Sequence, residues 1–160
     1  MPKLLSRPQY DKWLKKLPKD YCTFCHYDEF QIILHEGYEW VWIANIAPYW
    51  YYHTMLIPKR HFTEFGDMTN SEAIEFKQIL SLAMKRYRSQ KLYRPDKTLI
   101  EKYVYFWRKR DNLVDKISGT TRPDHFHIHI SPDQDHLWDR VVDKDACKVN
   151  IDTLKTNGRN

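Results

Sequence analysis

Glycine is scarce. Four glycines in 160 residues exclude a collagen repeat, a glycine-rich linker and the glycine-repeat phosphate loops. Cysteine is scarce too: the chain has three, two of them Cys22 and Cys25, too few for a disulfide scaffold at this length. A C-x-x-C in a reducing compartment is a metal clip or a redox pair before it is a staple. No run of 18 apolar residues occurs, and the segment 1–17 is too regularly charged to hold the apolar stretch of a signal peptide. The chain reads as soluble and cytoplasmic, with no membrane partner.

What is present fits a globular chain. Hydrophobic residues make up 42% and charged residues 29%, outside the range of disordered sequences. The length suits one domain with short appendages. Aromatics are the outlier: six Trp, eleven Tyr and seven Phe, 15% of the chain, demand a ring-rich core and at least one ring-rich surface. Charge is uneven. The net charge is +5, yet Lys85 to Arg110 holds ten Lys/Arg against Asp96 and Glu101, a net +8 that leaves the other 134 residues at −3. A mildly acidic body carries one strongly basic segment.

The periodicity predicts a helix over Pro8–Leu17, with Tyr10, Trp13, Leu14 and Leu17 on one face and Pro18 ending it. Strands are expected over Phe30–Leu34 and Glu39–Ile46, joined by a turn at His35–Tyr38 in which Gly37 supplies the flexible position. Thr54–Ile57, stopped by Pro58, is a third strand. Thr69-Asn70-Ser71-Glu72 fits a capping box, and the helix after it carries Ala73, Phe76, Leu80, Ala83 and Tyr87 on one stripe beside Ile79. Its basic end complements the helix dipole. Leu99–Lys109 reads as a long aromatic strand, Asn112–Pro123 as a loop with Gly119, and His125–Ile130 as a final strand closed by Pro132. One helix, three strands, a helix and two strands make an α+β meander.

The sharpest feature is His125-Phe126-His127-Ile128-His129-Ile130. On a strand, alternate side chains share a face, so three histidines project together while Phe126, Ile128 and Ile130 pack into the core behind them. The pattern alone also suits a solvated, pH-responsive histidine ladder or a three-histidine zinc site.

This strand resembles the motif of the histidine-triad superfamily, His-x-His-x-His followed by apolar residues. The resemblance continues upstream in the expected order, over about residues 21–132. Cys22-Thr23-Phe24-Cys25 is similar to the family's C-x-F-C. Asn45-Ile46-Ala47-Pro48 stands where members have Asp or Asn before x-x-Pro, and His53-Thr54-Met55-Leu56-Ile57-Pro58-Lys59-Arg60-His61 resembles its His-Thr-Leu-Val-Ile-Pro-Lys-x-His. The resemblance implies an antiparallel α+β domain over 21–132, with an N-terminal helical extension (1–20), a C-terminal extension (133–160, its tail disordered) and a homodimer.

It also implies chemistry at phosphorus. The middle histidine, His127, would attack the α-phosphate of a nucleotide conjugate and form a covalent nucleotidyl-histidine, which water or another acceptor discharges. A neutral imidazole is a good nucleophile near neutral pH. His129 would hydrogen-bond the phosphate oxygens, and His53 corresponds to the family's supporting histidine. Members with C-x-x-C hold a structural zinc, which here implies Cys22, Cys25, His61 and His125 as ligands. Two thiolates with two imidazoles suit closed tetrahedral zinc. His26 competes as the fourth ligand, and Cys147 reads as a lone thiol.

Asn45 stands where members contact the ribose hydroxyls, although Asn-x-x-Pro is equally a turn. Trp40–Ile43 reads as core, or as one wall of a base pocket. Thr120–Asp124 replaces the family's glycine-rich Gln-Ser segment, so Thr121 and Arg122 fall at the phosphate-contacting positions, Arg122 offering charge-assisted hydrogen bonds. The strand Tyr103, Tyr105, Trp107, interleaved with Lys102 and Arg108, suits single-stranded nucleic acid or a polyphosphate tail, and equally an aromatic core strand beside a solvated basic loop. The preferred function is hydrolysis or transfer at a nucleotide α-phosphate. A zinc-clipped nucleotide- or nucleic-acid-binding module and a catalytic zinc hydrolase are the competing readings.

Overall fold

The computed structural model of the chain describes residues 3–107, 124–132 and 145–155. It is an α+β fold built on one five-stranded, wholly antiparallel sheet. The elements are α1 (Arg7–Leu14), α2 (Tyr27–Phe30), β1 (Ile32–Glu36), β2 (Trp40–Ala44), β3 (Thr54–Pro58), α3 (Asn70–Ser89), β4 (Tyr103–Trp107) and β5 (Ile128–Pro132). Short 3-10 turns follow at Ala146–Lys148 and Ile151–Leu154. The strand order is β1-β2-β3-β5-β4, so the chain leaves the sheet after β3 and returns along its far edge.

β2 and β3 lie centrally and are buried over their whole length, which explains their unbroken apolar sequences. Trp40 and Trp42 face α3 together with Leu56, Phe126, Ile128 and Ile130, and Ile79, Ala83 and Tyr87 of the helix close over them. Val41, Ile43, Met55 and Ile57 point to the other face, onto Cys22 and Phe24. The indoles of Trp40 and Trp42 are fully enclosed by this packing, so both side chains belong to the core beneath α3.

The capping box at Thr69 forms as expected: the Thr69 hydroxyl accepts from Glu72 N and the Glu72 carboxylate accepts from Thr69 N. The buried stripe of α3 differs from the expected one. Ala73 is exposed, while Glu72 is buried because its carboxylate takes both Arg60 Nε (2.8 Å) and Arg60 Nη2 (2.7 Å).

Three expectations shift for local reasons. Gly37 does not adopt a positive φ. It is needed for space, because a Cβ there would run into the Glu75 carboxylate, which caps Tyr38 N and Glu39 N at 2.6 and 2.7 Å. The aromatic strand starts at Tyr103 and not at Leu99, because Leu99 bridges back to Tyr93 and Ile100 N donates to Leu92 O. The last strand starts at Ile128 and not at His125. Ahead of it, Phe126 N binds Phe62 O and the His125 ring binds Pro58 O, beyond the end of the β3 ladder. The basic run Arg108–Arg110 and the loop to Pro123 lie outside the described residues.

Candidate active site and metal centre

Two polar centres sit side by side on the sheet face that α3 leaves uncovered. The first joins Cys22, Cys25, His61 and His125, whose ligating atoms all lie within 4.8 Å of one another. His125 Nδ1 is 3.3 Å from Cys22 Sγ and 3.5 Å from Cys25 Sγ, and His61 Nδ1 is 3.3 Å from Cys25 Sγ. His125 Nε2 lies 3.0 Å from the Pro58 carbonyl, which can only accept, so that nitrogen carries the proton and Nδ1 turns its lone pair to the sulfurs. Burial, together with the neighbouring Cys22 sulfur, pushes the Cys25 thiol up to about 11. Two sulfurs packed like this ionise readily only beside a cation. The donor set therefore fits zinc. His26 stands apart, stacked on Tyr21 and 3.5 Å from Glu29, and Cys147 is outside the cluster.

The second centre contains the other two triad histidines and His53. His127 Nδ1 lies 2.7 Å from the carbonyl oxygen of His125. Since that carbonyl can only accept, Nδ1 holds the proton and Nε2 keeps its lone pair. Burial lowers the pKa of His127, which favours the neutral ring. His129 sits beside it, ring centroids 4.7 Å apart, and Phe106 stacks flat on His129 at 4.9 Å. His53 Nε2 is 2.9 Å from His129 Nδ1. Burial, then the nearby His127 and Arg7, drive the His53 pKa down to about 3, so His53 is neutral near pH 7. Phe24 lies between the centres and meets the rings of both His125 and His127 edge-on.

The loop between β2 and β3 supports this centre. Asn45 Nδ2 is 3.1 Å from His53 Nδ1, Asn45 Oδ1 accepts from Ala47 N (3.0 Å), and Tyr49 N donates to His53 Nδ1 (3.3 Å). The N-terminal segment fastens the loop from outside. Leu5 N donates to Ile46 O, and the Arg7 guanidinium lies 4.5 Å from the Tyr49 ring centroid. Tyr49, Trp50 and Phe106 thus pack the histidines, and sequence reasoning passed over all three. For Phe106 a signal existed, because it alternates with Tyr105 and Trp107 along β4.

The structure brings together His53, His127, His129 and Asn45 in one centre and Cys22, Cys25, His61 and His125 in the other. Thr121 and Arg122 lie outside the described residues.

Solved structures share this arrangement of elements. A zinc-bound histidine triad family protein from Mycobacterium smegmatis superposes with a TM-score of 0.60, at 19% identity, over 86% of this chain and 93% of its own. The chain has the histidine-triad fold. A histidine triad nucleotide-binding protein from Candida albicans gives a TM-score of 0.55 at 19% identity, over 72% and 77% of the two chains. An ADP-glucose phosphorylase from Arabidopsis thaliana with bound ADP-glucose superposes with a TM-score of 0.58 at 16% identity. That match covers 93% of this chain but 46% of the phosphorylase. No family model matches the sequence, and no curated protein does.

Proposed function

We propose that this chain is a nucleotide hydrolase or nucleotidyl transferase that works through a covalent intermediate on His127. One observation carries the reading: the His127 Nδ1 proton is committed to the His125 carbonyl at 2.7 Å, which leaves a neutral, buried imidazole with its Nε2 lone pair available. The lone pair attacks the α-phosphorus of a dinucleoside polyphosphate or nucleoside phosphoramidate. The N–P bond forms as the bond to the leaving group breaks, and the leaving group takes that electron pair. Water or another acceptor then attacks phosphorus from the vacated side, gives up a proton and returns the N–P electron pair to His127.

His129, packed against His127, hydrogen-bonds the phosphate oxygens and stabilises their developing charge. Asn45 contacts the ribose, and Thr121 and Arg122 the phosphates. Two copies form the working unit. Support for nucleotide chemistry comes from the likeness to a nucleotide-binding protein and to a phosphorylase with a bound sugar nucleotide.

Cys22, Cys25, His61 and His125 would hold one zinc ion, whose chemistry there is structural cross-linking. The residues themselves tie the segment before β1 to the end of β3 and the approach to β5.

Incubation with a dinucleoside polyphosphate or adenosine phosphoramidate labelled at the α-phosphate tests the proposal. Acid-labile label on the wild-type protein, absent from His127→Ala, is the expected result. Measurable nucleotide binding with neither adduct nor product would replace the enzyme by a binding module.

A further inference from the structure

The relation of Asn45 to the two histidines behind the nucleophile goes beyond a ribose contact. Two backbone N–H groups fix the polarity of the local hydrogen bonds. Ala47 N donates to Asn45 Oδ1 at 3.0 Å, so the carboxamide turns its NH₂ toward His53. Tyr49 N donates to His53 Nδ1 at 3.3 Å, and Asn45 Nδ2 approaches the same nitrogen at 3.1 Å. An amide N–H and a backbone N–H cannot accept. His53 Nδ1 therefore faces two donors and is the bare nitrogen of the ring.

The remaining assignments follow in order. His53 is neutral near pH 7, being buried and without an acidic partner among the groups that shift it. Its one proton is then on Nε2, 2.9 Å from His129 Nδ1. That contact needs a single proton, so His129 Nδ1 is bare and the His129 proton rides on Nε2. Phe106, stacked on His129, and Trp50, with its ring centroid 5.3 Å from that of His53, hold the two imidazoles in these orientations.

We infer that Asn45 is a positioning residue that acts through His53 to set the tautomer of His129, so that His129 meets the phosphate as an Nε2–H donor. The relay rests on the proposed phosphoryl chemistry for its purpose, but its hydrogen-bond order is a property of the free protein. It puts His127 and His129 in opposite tautomers: His127 is protonated at Nδ1 and attacks with Nε2, while His129 is protonated at Nε2 and donates. Two neighbouring imidazoles thereby take up the two roles that phosphoryl transfer needs. The Asn45 side chain keeps a second N–H and a second lone pair, so the relay leaves it capacity for a ribose hydroxyl.

Asn45→Asp is the discriminating substitution. It preserves size and the acceptor for Ala47 N, but it presents an oxygen to His53 Nδ1. The charged carboxylate outweighs the remaining, longer approach of Tyr49 N at 3.3 Å. The His53 proton therefore moves to Nδ1, Nε2 becomes the acceptor, and His129 must then donate from Nδ1, leaving a lone pair to face the phosphate.

Nitrogen-15 NMR of histidine-labelled, full-length protein near pH 7 reads these tautomers without substrate. The expected wild-type spectrum has Nε2–H on His53 and His129 and Nδ1–H on His127. In Asn45→Asp, His53 and His129 switch to Nδ1–H while His127 is unchanged. Single-turnover adduct formation on His127 then falls by about 100-fold, the scale of losing one preorganised donor to a developing oxyanion. A wild-type His53 protonated at Nδ1 overturns the relay, and so does an Asn45→Asp protein that folds and keeps the wild-type tautomers. If the wild type shows the expected tautomers but forms no adduct, the relay stands and the phosphoryl reading fails.

Discussion

The carbonyl of His125 accepts the Nδ1 proton of His127 at 2.7 Å, while the His125 ring, on the same residue, reaches Cys22 Sγ at 3.3 Å. One residue thus serves both centres, with its backbone holding the His127 ring and its side chain belonging to the cysteine cluster. Disturbing the cluster should be felt at His127.

Removal of metal is the direct check. The purified protein should carry about one zinc per chain, read by X-ray fluorescence. Chelation, or Cys22→Ser, should lower both the melting temperature and the rate of His127 adduct formation. A loss of about 2 kcal/mol corresponds to a drop of about 4–8 °C for a chain of this size. Chelation that abolishes turnover and leaves melting unchanged would favour a catalytic metal instead.

Acid should destabilise the fold through His53. Its folded pKa is pushed down to about 3 by burial, whereas the free side chain titrates near 6.5. Between these values the unfolded chain binds a proton that the native chain refuses, so stability rises with pH and is lost as pH falls below about 6.5. The slope from this group is about 1.4 kcal/mol per pH unit. Urea unfolding at pH 7, 6 and 5 should show it, and His53→Gln should be less steep by about one proton. An equal slope in the variant would mean that the acid sensitivity resides elsewhere.

The sequence made local patterns legible and left non-local pairings hidden. Alternation along 125–130 placed Phe126, Ile128 and Ile130 in the core, and the Thr69–Glu72 spacing located the start of α3, because each pattern is read within one element. The burial of Glu72 was not legible: it depends on Arg60, reached through the turn after β3. Nor was the shortening of the last strand, set by pairings of 125–126 with Pro58 and Phe62. In the cysteine–histidine cluster, Cys22 and Cys25 stood out by their spacing, whereas His61 and His125 joined them only through the family resemblance. The support of His53 by Asn45 and Tyr49 was not, since the turn alone determines which amide faces which ring nitrogen.

A buried chain of hydrogen bonds ties α3 to the sheet just beneath the site. Trp42 Nε1 donates to Thr54 Oγ1 (2.8 Å), and the Tyr87 hydroxyl, 2.8 Å from Thr54 Oγ1, donates to the Tyr52 carbonyl (2.6 Å). The carbonyl can only accept, so Thr54 donates to Tyr87 and the chain runs in one direction. Tyr87→Phe would leave the Thr54 O–H donor and the Tyr52 carbonyl without their partner in a dry core, while Thr54 Oγ1 still accepts from Trp42 Nε1, at about 1–3 kcal/mol. Tyr52 holds a φ of 56° immediately before His53, a strained geometry that this bond helps to fix. The variant should therefore also show altered His53 and His129 resonances. Lost stability with unchanged resonances would confine the network to packing.

The turn at Gly37 tests whether a glycine is required for space or for conformation. Its φ is ordinary, and the Glu75 carboxylate occupies the room a Cβ would take while accepting from Tyr38 N and Glu39 N. Gly37→Ala should displace that carboxylate and expose two N–H groups to loss of their partner, costing about 1–3 kcal/mol. Glu75→Ala should cost a similar amount by deleting the acceptor. If space is the reason, the double variant is little worse than either single one, because both changes remove the same two hydrogen bonds. A conformational requirement would instead make the two costs add, and chemical denaturation of the four proteins in the cycle separates the outcomes.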